Sequence, residues 1–287
     1  MSANATRRAA SQQPSRGRLR QRPLLLVTLA SFGFAFLYLP ILALVAYSFN
    51  ASDRVMVWTG VSTRWYGALL NDPAILRAAA LTLQVAAVNA CGATVLGLAA
   101  GYVLARFRRF PSRSLFAGML AAPLVVPEVV TGLSLLVLFV TLGQTLGWPA
   151  ERGFTTITIA HITFSTAYVA VIVQARLAQL DTSLEEAALD LGATPTGAFF
   201  SVTVPLLAPA LIAGWLLAFT LSIDDLVIAS FVAGPSASTL PMLIFSKVRL
   251  GLSPEINALA TLMMVSVMAL GVLALLLLGR RARPESH

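Results

Sequence analysis

The stretch Ser183-Leu-Glu-Glu-Ala-Ala-Leu-Asp-Leu-Gly-Ala-Thr-Pro-Thr-Gly-Ala-Phe-Phe-Ser-Val-Thr-Val-Pro205 is the one long polar-capped segment between otherwise apolar runs. Ser183 and Glu186 have the Ser-x-x-Glu spacing of a capping box, in which each side chain satisfies a backbone donor at the other's position. The spacing predicts a short helix starting at Ser183. Ala187 and Ala188 favour that helix and leave little bulk on its surface, and Gly192 stands where a left-handed residue would end it. Thr194 before Pro195 restarts the chain as a second helix, with threonine as N-cap and proline at the first helical position. Two short helices joined at a glycine make a compact polar knob, and what flanks the knob sets the fold class.

The flanks are apolar throughout. The chain has 287 residues, 57% hydrophobic and 11% charged, with a mean hydropathy of +0.82, far below the charged fraction of about 25% usual in soluble domains. This is the composition of an all-α integral membrane protein. The single Cys91 permits no internal disulfide and reads as a small buried apolar residue. The net charge of +8 does not point to nucleic acid, because the arginines sit in short clusters beside apolar runs, as the positive-inside pattern requires.

Six runs are long enough to span a bilayer, which takes ~20 residues: 23–49, 78–105, 114–140, 154–177, 206–233 and 256–279. Residues 1–22 carry six arginines and no acid and read as a disordered cytoplasmic tail; 23–280 form the transmembrane domain and 281–287 a second cytoplasmic tail. The first run exceeds a signal-peptide core, and Phe32, Phe34, Phe36, Tyr38 and Pro40 replace a small-residue cleavage site, so it reads as a retained helix. Trp58, Trp65 and Tyr66 suit an interfacial aromatic belt in an external segment, which Asp72-Pro73 closes as N-cap and first residue of the next helix. Gly92, Gly97 and Gly101 mark that helix for close packing. The tail arginines, Arg106, Arg108, Arg109 and Arg113, Arg176, and the closing Arg280, Arg281 and Arg283 place both termini and the 183–205 knob on the cytoplasmic side.

Three acids lie within the apolar runs: Glu128, Asp224 and Asp225. An aspartate near a helix centre costs roughly 2.5–3.5 kcal/mol on insertion scales, so each calls for a reason. If the third and fifth helices run unbroken, Glu128 and Asp224 lie at equal depth, ~21–22 Å from the cytoplasmic end, and can share one site. Adjacent helical residues point about 100° apart. Asp225 shares a face with Gly214, Ala218 and Ala229, a packing stripe, whereas Asp224 lies with Thr220 and Phe231; Asp224 is the better path residue. Either aspartate can instead cap a broken helix or pair with a hydroxyl. Pro123 and Pro127 interrupt the third helix, a break tolerated in lipid where protein or a wet cavity surrounds it. His161, beside Thr163 and Ser165, reads as a hydrogen-bonded structural residue, with a proton relay as the second reading. With only His161, His287 and Cys91 as nitrogen and sulfur ligands, the sequence offers no such metal set.

Glu186-Ala187-Ala188, then Gly192, then Val202-x-Val204-Pro205 resembles the "EAA" loop of permease subunits in bacterial binding-protein-dependent ABC importers, with valine for the usual isoleucine and leucine. Thr220-Leu-Ser-Ile-Asp-Asp-Leu-Val-Ile-Ala-Ser-Phe-Val-Ala-Gly234, Leu240-Pro-Met-Leu-Ile-Phe-Ser-Lys-Val-Arg249, Tyr47-Ser-Phe-Asn50 and Pro123-Leu-Val-Val-Pro-Glu128 are similar to the second permease subunit of spermidine/putrescine importers, and the similarity runs over about 23–280. The resemblance implies a type I ABC importer permease fold of about six transmembrane helices, with coupling helices between the fourth and fifth. It implies a heterodimer with a sister permease, two copies of an ATPase that binds ATP and Mg, and a periplasmic polyamine-binding protein, all in the bacterial inner membrane. It also implies that Glu186, Ala187, Ala188, Gly192 and Pro205 couple to the ATPase.

The chain itself has no Gly-x-x-x-x-Gly-Lys-Ser/Thr phosphate loop and is expected to bind no cofactor and to catalyse nothing. Carboxylates at Glu128, Asp224 and Asp225 agree in sign with a polycationic cargo. Other readings stay open at this point: a permease for another small solute, or a secondary cation transporter exchanging protons through Glu128 and Asp224. An acid/base dyad of Asp224 and Asp225 is disfavoured by their divergent directions.

Overall fold

The computed structural model describes residues 18–281 apart from Met56, Arg108 and Leu252. In chain order the elements are α1 (Arg18–Tyr47), α2 (Arg64–Asn71), α3 (Pro73–Arg106), α4 (Arg113–Val125), α5 (Glu128–Leu146), α6 (Phe154–Leu177), α7 (Ser183–Asp190), α8 (Pro195–Ala198), a π-helical turn (Phe199–Thr203), α9 (Val204–Ile223), α10 (Val227–Val232), α11 (Leu240–Leu250) and α12 (Pro254–Arg281). Among the described residues there is no strand, only an isolated bridge between Asn50 and Val61. Five helical segments are long and apolar enough to cross a membrane: Leu25–Tyr47, Pro73–Arg106, Glu128–Leu146, Phe154–Leu177 and Pro195–Ile223. The sixth, α12, runs 28 residues. Of the tail expected at 1–22, residues 1–17 lie outside the described residues and Arg18 already belongs to α1; of 281–287, only Arg281 is described.

Two of the expected spans are not single helices. The third divides at Val126 and Pro127 into α4 and α5, and the fifth divides at Asp224, Asp225 and Leu226 into α9 and α10. Pro127 has no N–H and presses the preceding residue out of the helical region; Val126 accordingly sits at ψ 132°.

The core is a three-helix unit of α3, α6 and α9. Ala86, Ala90 and Ala93 of α3 pack against Val169, Val173 and Leu177 of α6 and Leu207, Ala218 and Phe219 of α9. Small residues on α3 let the backbones close, as in membrane bundles generally. At Gly97 a Cβ would stand 2.6 Å from Val169 Cβ. At the crossing, Asn89 Nδ2 donates to Ala218 O at 2.7 Å and to Ser165 Oγ at 3.2 Å, stitching the three helices with one buried amide. Cys91, expected to be buried, is exposed on the outer side of α3, where Trp215 Nε1 donates to its Sγ at 3.4 Å.

Trp65 and Tyr66, read from the sequence as part of an interfacial aromatic belt, are half-buried: Trp65 Nε1 donates to Asn50 O, Tyr66 Oη lies 2.7 Å from Ser48 Oγ, and both residues pack against the buried cluster that includes Leu69 and Leu259. At this end of the molecule Asp72 caps α3 by accepting from Ala74 N, as read from the sequence. That backbone bond holds its carboxyl below the usual range, helped by Lys247. Lys247 reaches both Asp72 and Glu255 and so ties α3, α11 and α12 together.

Gly97→Leu in the isolated, detergent-solubilised chain is expected to cost about 1–3 kcal/mol, the usual range for overpacking, and to lower the thermal midpoint. Gly118→Ala on α4, where nothing lies within 4 Å of the added carbon, should leave it unchanged. A thermal melt of both variants checks the packing of α3 on α6.

Candidate functional site

The break between α9 and α10 is built by Asp225. Its Oδ1 accepts from Ile228 N at 3.3 Å and its Oδ2 from Ala229 N at 2.7 Å, so the carboxylate satisfies two of the free N–H groups with which α10 begins. Oδ2 also meets His161 Nε2 at 3.1 Å, and His161 Nδ1 lies 2.7 Å from Ser222 Oγ. An ionised carboxylate can only accept, so Nε2–H donates to Asp225, and Nδ1 pairs with the Ser222 hydroxyl. His161 is buried on α6, so a short helix of six residues is fastened to the rigid core at its first turn. It is fastened again at its last, where Thr156 Oγ1 donates to Val232 O at 2.8 Å.

Asp224 has none of these partners. It terminates α9, its N–H bonded back to Thr220 O, and its side chain is exposed at the surface of this chain. Two adjacent aspartates thus have opposite situations. Asp225 is turned inward and fully engaged as a cap, while Asp224 is available to something outside the chain. Asp225, named from the sequence among the path residues with capping of a broken helix as the alternative, caps α10.

Glu128 occupies the matching position on the neighbouring pair of helices. It opens α5 directly after Pro127, its carboxylate in the positive first turn of the helix, and it is exposed. The two breaks are in register. One turn beyond Glu128, Gly132 packs so closely on α10 that an added Cβ would lie 2.7 Å from Phe231 Cδ2 and 3.4 Å from Ile228 Cα, one turn beyond Asp224. Further along, Phe139 joins Val232 and Ala237 in one buried cluster. The level of the chain at which α4 and α9 both end in free carbonyls therefore also carries two exposed carboxylates. Carbonyl ends and carboxylates together attract a cation.

The knob at 183–205 forms a second site. The expected capping box between Ser183 and Glu186 is not made. The N-cap is Thr182 without a side-chain bond, and the turn is closed one residue earlier, where Asp181 Oδ1 accepts from Ser183 N. That bond holds the Asp181 carboxyl below its ordinary value. The other end follows the sequence. Gly192 has φ +91°, Ala193 N donates to Ala188 O and Gly192 N to Leu189 O, the paired bonds of a glycine-terminated helix. Thr194 caps α8 by accepting from Gly197 N, with Pro195 behind it. The second helix is not free-standing, however. It runs through the π-turn, in which Val204 N–H reaches Phe199 O, straight into α9. Pro205, with no N–H to give, leaves the register ahead of it free to widen.

Glu186, Ala187, Gly192 and Pro205 are exposed and Ala188 half-buried. Around them stand four uncovered apolar side chains, Leu184, Leu189, Leu191 and Phe200, with Leu191 90% exposed. The residue that anchors the knob is Glu185. It accepts from Arg106 at the end of α3 (2.6 Å) and from Thr203 Oγ1 in the π-turn (2.8 Å). Sequence reasoning missed it; an acid next to a knob, facing the basic cluster that closes α3, was the available signal.

Broken helices that bring carboxylates to one level, and an apolar-tipped knob continuous with one of them, fit a membrane-embedded transport subunit. The fold agrees: the chain superposes on a bacterial ABC transporter involved in the import of the acidic polysaccharide alginate (TM-score 0.66, 17% identity, 96% of this chain and 100% of that one), and on an amino acid ABC transporter (TM-score 0.55, 20% identity, 77% and 100%). Residues 93–284 match the family described as binding-protein-dependent transport system inner membrane component, and the chain belongs to that family. It is 58% identical over 254 residues to the putrescine transport system permease protein PotI of Escherichia coli K12, covering 88% of this chain and 90% of the relative. It is 42% identical over 232 residues to the spermidine/putrescine transport system permease protein PotC of the same organism, covering 81% and 85%.

His161→Ala removes the Asp225 partner that lies outside α10, and it is expected to destabilise the solubilised chain by about 1–3 kcal/mol. Ser222→Ala, which removes only the hydroxyl partner of Nδ1, should cost about 0.5–1.5 kcal/mol. Chemical unfolding of both variants checks the order of these effects.

Proposed function

We propose that this chain is one of two permease subunits of an ATP-driven inner-membrane importer of polyamines, taking up putrescine or spermidine handed over by a periplasmic binding protein. The observation that carries the reading is the division of labour at the α9–α10 break. A carboxylate at membrane depth is costly, and Asp225 accounts for its own by capping α10, but Asp224 has no internal use. An exposed carboxylate level with Glu128 suits a cargo bearing separated ammonium groups. The 58% and 42% identities to permeases for putrescine and for spermidine/putrescine support the same cargo.

In this reading the first 22 residues and the last seven are cytoplasmic tails around the transmembrane domain at 23–280, both termini lie inside, and the 183–205 knob faces the cytoplasm. A sister permease covers the exposed face of α4 and α5 and completes the path. Two copies of a separate ATP-binding subunit hold ATP and Mg, and one of them receives the knob through Glu186, Ala187, Ala188, Gly192 and the apolar tip. Chain geometry then supplies the transmission. A displacement of the knob pulls α3 through Glu185 and Arg106, and α9 through the continuous π-turn. Since α9 ends at Asp224, twenty residues and ~30 Å away, movement at the ATPase alters the level where the carboxylates sit.

Asp224→Asn and Glu128→Gln should each reduce uptake of labelled putrescine at low concentration by about tenfold, the effect of removing one charge-assisted contact of ~1.4 kcal/mol, with the assembled complex recovered at normal yield. Uptake unchanged in both variants would remove the path assignment. Gly192→Val places a branched side chain at positive φ, a strain of roughly 1–2 kcal/mol, and Glu186→Lys inverts the charge on the knob. Both are expected to leave the subunit in the membrane and abolish transport-stimulated ATP hydrolysis, measured on the reconstituted complex.

A further inference from the structure

Beneath the knob, the ends of α3 and α6 and the start of α4 enclose a cavity of about 510 Å³. Its polar lining is Arg106, Arg113, Gln174 and Thr182, with Leu177 and Leu180 among its apolar walls, and no carboxylate lines it. Each arginine has one terminal nitrogen bound within the protein: Arg106 Nη2 to Glu185 Oε1 at 2.6 Å and Arg113 Nη2 to the neutral Leu104 O at 3.2 Å. Each Nε–H has no acceptor. Four buried side-chain polar atoms among the described residues lack a partner, and two of them are these Nε atoms at a single cavity. Buried polar groups without partners are rare and call for a water, an ion or a ligand. Of the two arginines only Arg106 has a carboxylate partner, and that acid, Glu185, already accepts from Thr203 as well.

We propose that this cavity binds a phosphate-bearing anion through the guanidinium forks of Arg106 and Arg113. The planar fork matches phosphate oxygens bidentately, Gln174 and Thr182 add neutral donors, and the leucine walls accommodate the apolar part of an ester. Two sources share this chemistry: the headgroup of an acidic phospholipid, whose depth at the end of α3 is appropriate, and free phosphate from the aqueous side. Arg106 also holds Glu185, so an occupied cavity sets a negative charge beside the bond that anchors the knob. The proposal goes beyond the transport reading and does not depend on the cargo.

The test uses the full transporter complex in nanodiscs of phosphatidylcholine with and without phosphatidylglycerol, with bound lipid counted by native mass spectrometry. Inorganic phosphate is titrated against the thermal midpoint in a second arm. Three variants are compared with the parent. Arg113→Gln removes a fork from the cavity. Arg113→Lys keeps the charge without the fork and guards against a folding defect. Arg109→Gln removes the same charge from an exposed position that does not line the cavity. Retention of phosphatidylglycerol is expected to fall about tenfold in Arg113→Gln, corresponding to a charged hydrogen bond, and several-fold in Arg113→Lys, with Arg109→Gln like the parent. The same ranking in the phosphate arm alone identifies free phosphate as the source. If Arg113→Gln and Arg109→Gln behave alike in both arms, or Arg113→Lys binds as the parent does, the site is overturned.

Discussion

A helix that stops inside a membrane strands backbone donors and acceptors where no lipid can meet them, and the answer to that problem at Asp225 determines the rest of this structure. One carboxylate accepts two N–H groups of α10 and the imidazole of His161. The ring is itself held by Ser222, three residues back along the chain that has just broken. The break is therefore a closed polar circuit between α6, α9 and α10, insulated by Ala229, Ile228 and Phe164. Because the circuit is complete without Asp224, the neighbouring carboxylate is free to face outward, at the level where α5 begins with Glu128.

The circuit is effective only because its base is rigid. Alanine and glycine on α3 bring three helices to close packing, and Asn89 bridges all of them. Such interiors move as bodies, since packed cores have discrete arrangements and deform little in between. The knob joins this body at two places, by an ion pair from Glu185 to Arg106 and by an uninterrupted helix through Thr203, whose hydroxyl donates to the same glutamate. Tyr102 of α3 stacks edge-on against Phe199, with ring centroids 4.9 Å apart, and stiffens the joint. A knob attached at one point could swivel; attached at two, its orientation relative to α3 and α9 is held.

The sequence made legible those features whose cause is local. The α6 helix keeps the bounds read from it, Phe154–Leu177, because Gly153 and the residues after Arg176 end the apolar run clearly. Asp72-Pro73, Thr194-Pro195 and Gly192 cap helices where their chemistry said they would. The start of α7 went to Asp181 and not to the Ser183–Glu186 box because both cues lie within one turn and only one can close it. Long-range pairings left no local trace. His161 and Asp225 are 64 residues apart, Arg106 and Glu185 are 79 apart, and, while Pro127 marked the first helix break, hydrophobicity runs across the second without a dip wide enough to mark it. The three acids were visible as costly; which of them was satisfied was not.

The outer surface of α1 has a consequence of its own. None of the most apolar stretch of this helix is buried, and its main contact with the bundle is along α12. In water such a surface would aggregate, but hydrocarbon tails wet it as readily as another protein does, so greasiness gives no bias toward any companion. Recognition by any protein companion would then have to come from relief and from scattered polar atoms: the steps left by small residues, Phe34 stacked on Tyr38, the edges of the broken helices. A surface of this kind can drift slowly in sequence while its contour is kept, and two lineages of such subunits living in one membrane would stay separate by shape.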